Sequence, residues 1–146
     1  MTYRVEFKRV FTAPPERVWR ALTEPAAIVK WNPPDGFVGE VHELDLREGG
    51  GFRMSFINLG SGERHSFGGK YKEVRPNERL VASDVFDDPS LPGEGQTIYT
   101  LRTVSCGTEL HIEQSGLPDA IPVEACRLGW QQSLEMLGRL VAPEIA

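Results

Sequence analysis

Cysteine is scarce in this chain. Cys106 and Cys126 are the only two in 146 residues, and no C-x-x-C pair exists. Two such cysteines leave one disulfide between them open, and free thiols in a reducing compartment are the simpler expectation. No apolar run approaches the roughly 20 residues that span a bilayer. The first residues, Met1-Thr2-Tyr3-Arg4-Val5-Glu6, place charge where a secretory signal would carry its apolar core. A cytoplasmic protein without membrane contact is therefore expected. A concentrated positive face is missing too: the net charge is −5, and the closest basic pairs, Lys8-Arg9 and Lys70 with Lys72, read as strand surface. Phosphate backbones need such a face, so nucleic acid is excluded as a partner.

Catalytic signatures are equally sparse. No serine sits in a G-x-S-x-G elbow, and neither cysteine has a histidine nearby in sequence. Gly49-Gly50-Gly51 lacks the Lys-Ser/Thr tail of a phosphate loop and opens no helix, so a hairpin turn is expected there. Asp45 and Arg47 beside it are expected to fix that turn through a local ion pair or capping bonds. Asp84, Asp87 and Asp88 fail the spacing of a calcium loop and are expected to solvate a turn. His111 and Glu113 share one strand face, a conceivable metal pair. Leu110 and Ile112 claim the buried face, however, and two ligands fall short of a zinc site. No metal and no cofactor is expected, and no catalytic residue is assigned.

What is present is a globular composition, 40% hydrophobic and 25% charged, on a chain long enough for one self-sufficient core. No repeat, linker or low-complexity tract divides it, so residues 1–146 are read as one α+β domain. Residues 3–12 alternate in polarity with a period of two, which predicts a strand; Val10 breaks the phase, suggesting a bulge near Arg9. Pro14-Pro15-Glu16 followed by Val18, Trp19 and Leu22 predicts a short helix over about 15–23. Glu24-Pro25 starts a second through Trp31, and Asn32-Pro33-Pro34-Asp35-Gly36 ends it.

Strands follow near 37–46, 51–59, 64–75, 79–87, 96–105 and 108–115. Their short turns require antiparallel pairing. The longest link, 87–95, is polar and rich in Pro and Gly, a loop suited to the rim of a pocket. The period then changes. Val123, Cys126, Trp130, Ser133, Leu134, Leu137 and Val141 form one stripe of a helix of about twenty residues. A six- or seven-stranded curved sheet has one face to cover, and this helix is the only element long enough to do so.

Several segments carry a resemblance. Asp45-Leu46-Arg47-Glu48-Gly49-Gly50 with Phe52 resembles the D-x-R-x-G-G turn of stand-alone domains related to the activator of Hsp90 ATPase. Gly69-Lys70-Tyr71-Lys72-Glu73-Val74 through Pro76-Asn77-Glu78-Arg79-Leu80 is similar to a second signature of that group. Ala13 to Trp19, Gly107-Thr108-Glu109-Leu110 and Gly129-Trp130-Gln131-Gln132-Ser133-Leu134 match further ones in the same order. The resemblance implies a helix-grip fold, shared with START-like and Bet v 1-like binders of lipids, steroids and polyketides. It implies no common catalytic set, and fold alone does not fix function.

Within such a grip, large aromatics with a few polar groups line a ligand pocket. The candidate lining residues are Trp31, Phe52, Met54, Phe56, Tyr71, Tyr99, Leu101 and Trp130, with Gln114 as a polar contact. His65 joins them because it shares parity with Phe67 and Tyr71. Cys126, on the helix stripe, is expected to be a buried inert thiol. On the fifth strand of the 37–115 region's count from the chain start, Leu80, Ala82 and Phe86 compete with Val81 and Val85 for the inward face. The expected function is binding of a small hydrophobic or amphipathic molecule. The alternatives are a cofactor-free cyclase or hydrolase using the same cavity, and a co-chaperone-like module with a protein partner.

Overall fold

The computed structural model describes residues 2–142. Its order is β1 (Thr2–Phe11), α1 (Pro15–Thr23), α2 (Pro25–Trp31), β2 (Phe37–Leu44), β3 (Gly51–Asn58), β4 (Arg64–Arg75), β5 (Arg79–Phe86), β6 (Gly95–Val104), β7 (Gly107–Pro118) and α3 (Val123–Val141). The strands form one antiparallel sheet in the order β1-β7-β6-β5-β4-β3-β2. Every neighbouring pair after β2 is joined by a short turn or loop, and the excursion through α1 and α2 carries the chain from one sheet edge to the other. This is the helix-grip arrangement that the periodicities and the resemblance implied.

The β1 irregularity lies between Tyr3 and Val5, not near Arg9. Pairing with β7 runs unbroken from Val5 to Phe11, and Val10 simply faces solvent at 47% exposure. A single apolar residue on a wet face imitates a phase break without being one. The Gly-Gly turn after β2 is structural: Arg47 Nε lies 2.8 Å from Asp45 Oδ2, and Gly49 N–H donates to the Tyr71 carbonyl. A Cβ on Gly50 would stand 2.1 Å from the Asp45 carbonyl oxygen, so this close approach requires glycine.

The two short helices fix the long one. Trp31 Nε1 donates to the Ala21 carbonyl at 2.6 Å, which ties α2 to α1. Ser133 Oγ donates to the Asn32 carbonyl at 2.7 Å, and Arg17 Nη1 reaches the Val141 carbonyl at 3.2 Å. These bonds hold α3 from its middle to its end. Leu134, Leu137 and Val141 are almost wholly buried, in one core with Phe11, Val18, Trp19, Leu110 and Ile112. No helix among the described residues is long and apolar enough to cross a membrane.

Candidate functional site

α3 does not lie flat on the sheet. Its Cα atoms come within 8 Å of α1, α2 and β1, and of no other element among the described residues. Its first half, Val123 to Trp130, has no fully buried residue and faces open space on the sheet side. The space beneath is a cavity of about 350 Å³. Phe56, Phe67, Phe86 and Tyr99 line it from the sheet, Cys126, Gly129 and Trp130 from the helix, and Leu91 from the 87–95 loop. A smaller recess of about 60 Å³ continues inward between α2 and β3–β6, sharing Asn32, Phe67, Asp84 and Tyr99 with the main space. Two surface grooves of comparable volume, near Lys72 and Glu94 and near Arg17 and Arg20, carry no aromatic side chain.

Trp130 acts as a pillar between helix and sheet. Its ring packs edge-on to Tyr99 at 6.3 Å between centroids and tilts over Phe7 at 6.2 Å. Its indole N–H donates to Gln114 Oε1 at 2.8 Å. Because an indole can only donate, it fixes the orientation of the Gln114 amide. Gln114 Nε2 then donates to Thr97 Oγ1 at 3.2 Å, and the Thr97 hydroxyl donates to Asp84 Oδ2 at 2.5 Å. A one-way chain of hydrogen bonds thus runs from α3 across β7 and β6 to a carboxyl on β5.

Asp84 is the residue that sequence reasoning misplaced. It does not solvate a turn; it is 9% exposed and lines both the cavity and its inner recess. The inward parity of β5 is that of Leu80, Ala82, Asp84 and Phe86, with Val85 pointing to solvent at 42% exposure. Reading Asp84 as part of the apolar set Leu80, Ala82 and Phe86 would have found it. Its polarity suggested a loop instead. Burial pushes its carboxyl above the usual range, against hydrogen bonds from Thr97 and Gln114 that favour the anion. Of the other two, Asp87 is held by both terminal guanidinium nitrogens of Arg53, and Asp88 caps Ser90.

The remaining candidates divide between the two spaces. Phe56, His65, Tyr99, Gln114 and Trp130 line the main cavity, and Trp31, Phe52, Met54 and Tyr71 line the recess with Tyr99. His65 is exposed at the mouth, edge-on to Phe37. Leu101 belongs to the packed core and borders neither space. Burial pushes the Tyr71 phenol up to about 12 and raises that of Tyr99 further. Cys126 lines the cavity half-buried rather than sealed in the core; burial raises its thiol, which disfavours the nucleophilic thiolate.

On the outer face, Glu6 joins His111 and Glu113, their ligand atoms all within 4.8 Å of one another. The sequence could not show this third residue, which pairing of β1 with β7 brings alongside. Arg4 Nη2 lies 2.6 Å from Glu113 and 3.0 Å from Glu6, so one guanidinium already bridges the two carboxylates. The Glu6 carboxyl is lowered first by its hydrogen bond to His111.

The family model described as activator of Hsp90 ATPase homolog 1-like protein matches residues 12–142. The chain belongs to that family. A solved structure of a Chromobacterium violaceum protein is 52% identical, with a TM-score of 0.95 over 97% of this chain and 98% of that one. A Rhodobacter sphaeroides protein is 28% identical, with a TM-score of 0.81 over 94% and 90%. A Silicibacter pomeroyi protein named for the same family, 22% identical, shares the fold at a TM-score of 0.79 over 94% and 96%. No curated protein matches the chain. The matched residues include every cavity-lining segment from α2 to α3. Membership of the Hsp90 ATPase activator-like family supports a START-like ligand-binding or activator-related module as the coarse class.

Proposed function

We propose that this member of the Hsp90 ATPase activator-like family binds a small, mainly apolar molecule between the sheet and the first half of α3. The observation that carries the reading is the aromatic-lined cavity of about 350 Å³ with one polar chain ending inside it. Volumes of roughly 300–1,000 Å³, apolar walls and a few placed polar groups describe small-molecule sites. The helix is held off the sheet by the Trp130 pillar, so the space survives where close packing would otherwise remove it. Binding is favoured over catalysis because the lining cysteine is held as a thiol and the Ser133 hydroxyl is engaged by the Asn32 carbonyl. The two free cysteines support a reducing compartment, the cytoplasm, as the place of action.

Titration with the apolar fluorophore N-phenylnaphthylamine tests the reading. Gly129 faces the cavity, and a Cβ there would meet only Pro34 Cβ at 3.9 Å. Saturable binding to the wild type, lost in a folded Gly129→Leu variant whose side chain fills the space, is the expected outcome. Binding that Gly129→Leu leaves unchanged would refute this location.

A further inference from the structure

Asp84 distinguishes this cavity from a plain greasy pocket. Its carboxyl is buried on β5, and no lysine, arginine or histidine pairs with it among the described residues. Charged carboxylates are expensive to bury without a counter-ion, and such groups ordinarily take a proton instead. The hydrogen-bond chain decides where that proton goes. Indole to amide to hydroxyl, every donor points toward Asp84, and Oδ2 is occupied as the acceptor of Thr97. The Gln114 amide lies near the carboxyl while donating to Thr97, and only Oδ2 is engaged by a hydrogen bond, so Oδ1 is the oxygen open to carry a proton toward the cavity. We infer that the cavity selects neutral apolar molecules that carry a hydrogen-bond acceptor such as a carbonyl, and that Asp84 is the donor that recognises it.

This rests on the binding reading above and deepens it to a ligand class. An acceptor-free hydrocarbon would leave the Asp84 donor unmatched, and that mismatch is the basis of selectivity. The groups facing Asp84 are Tyr71 on β4, Thr97 and Tyr99 on β6, and Gln114 on β7, with Cys126 and Trp130 on α3 across the cavity. Both phenols and the thiol are raised by burial and so stay neutral where the carboxyl titrates. Among the described residues, His65 at the mouth is the one imidazole lining the space.

The test compares prodan, a fluorescent naphthyl ketone, with dimethylaminonaphthalene, the same ring system without the ketone. Prodan is expected to bind the wild type about tenfold more tightly at acidic pH and to weaken as pH rises and Asp84 loses its proton. The ketone-free probe should show no such change, and His65→Gln should retain the profile. Asp84→Asn keeps a donor in the same place, so it should bind prodan with the pH dependence abolished. Asp84→Leu should lose the tenfold preference while still binding the ketone-free probe. Equal affinity for the two probes, a pH-independent wild type, or prodan binding that strengthens with pH would each overturn the assignment while leaving the cavity reading intact. Failure of both probes to bind would overturn the two together.

Discussion

The two ends of α3 carry the same sequence pattern and meet opposite surroundings. Toward its C-terminus, Leu134, Leu137 and Val141 are at most 1% exposed against β1, α1 and the sheet. Toward its N-terminus, Cys126 and Trp130 occupy the same stripe yet are only half-buried, because they face space. Gly138 and Gly129 mark the contrast within one helix. A Cβ on Gly138 would meet the Phe11 ring at 3.3 Å, whereas one on Gly129 would find Pro34 at 3.9 Å and open cavity beyond. One end is a clamp, and the other is held open by it. A hydrophobic stripe therefore says that a face is covered, not how closely.

Truncations at the two ends should separate them most strongly. Leu137→Ala removes a fully buried side chain from the packed end and should cost ~2–5 kcal/mol in equilibrium denaturation, with probe affinity per folded molecule unchanged. Trp130→Ala should cost less than the ~3–5 kcal/mol of a core tryptophan, because its pillar stands beside a void, and it should change probe affinity at the same time. A full core-sized loss at Trp130 with no effect on binding would erase the distinction.

A smaller effect is expected at Asp84. Burial raises its folded-state pKa above the unfolded value, so folding favours the protonated form. Its stabilising contribution is complete below the unfolded pKa and is lost as pH rises through the raised folded value. Asp84→Asn, which cannot ionise, should therefore melt above the wild type at alkaline pH, with the gap closing on acidification. A gap that widens in acid would contradict the sign.

The helical glycines give the smallest effect. Gly129→Ala should gain ~0.5–1 kcal/mol from reduced backbone entropy in the unfolded chain. Gly138→Ala should forfeit that gain, because its new methyl meets Phe11. Equal thermal shifts in the two variants would mean that the helix stands off the sheet at both ends or at neither.

The packed end was legible in the sequence because alternation in β1 and β7 and the three-and-four spacing in α3 report burial directly. Five of the ten expected lining residues, Phe56, His65, Tyr99, Gln114 and Trp130, do border the main cavity, and aromatic type with strand parity was enough to find most of them. Asp84 was not legible, since a carboxylate is normally read as surface and its meaning depends on Thr97 and Gln114, which pairing of β5, β6 and β7 brings beside it. The Glu6, His111 and Glu113 cluster was hidden for the same reason. Leu117, Ile121 and Ala125, at the turn into α3, line the cavity only because the helix leaves the sheet at that point.

A heteronuclear NMR titration with N-phenylnaphthylamine tests the division of the grip most directly. Saturable shifts should appear at Ala125, Cys126, Gly129, Trp130, Tyr99 and Gln114, leaving Phe11, Leu134, Leu137 and Val141 in place. Shifts concentrated at the Leu137 end, or spread evenly along α3, would contradict an open end held by a packed one.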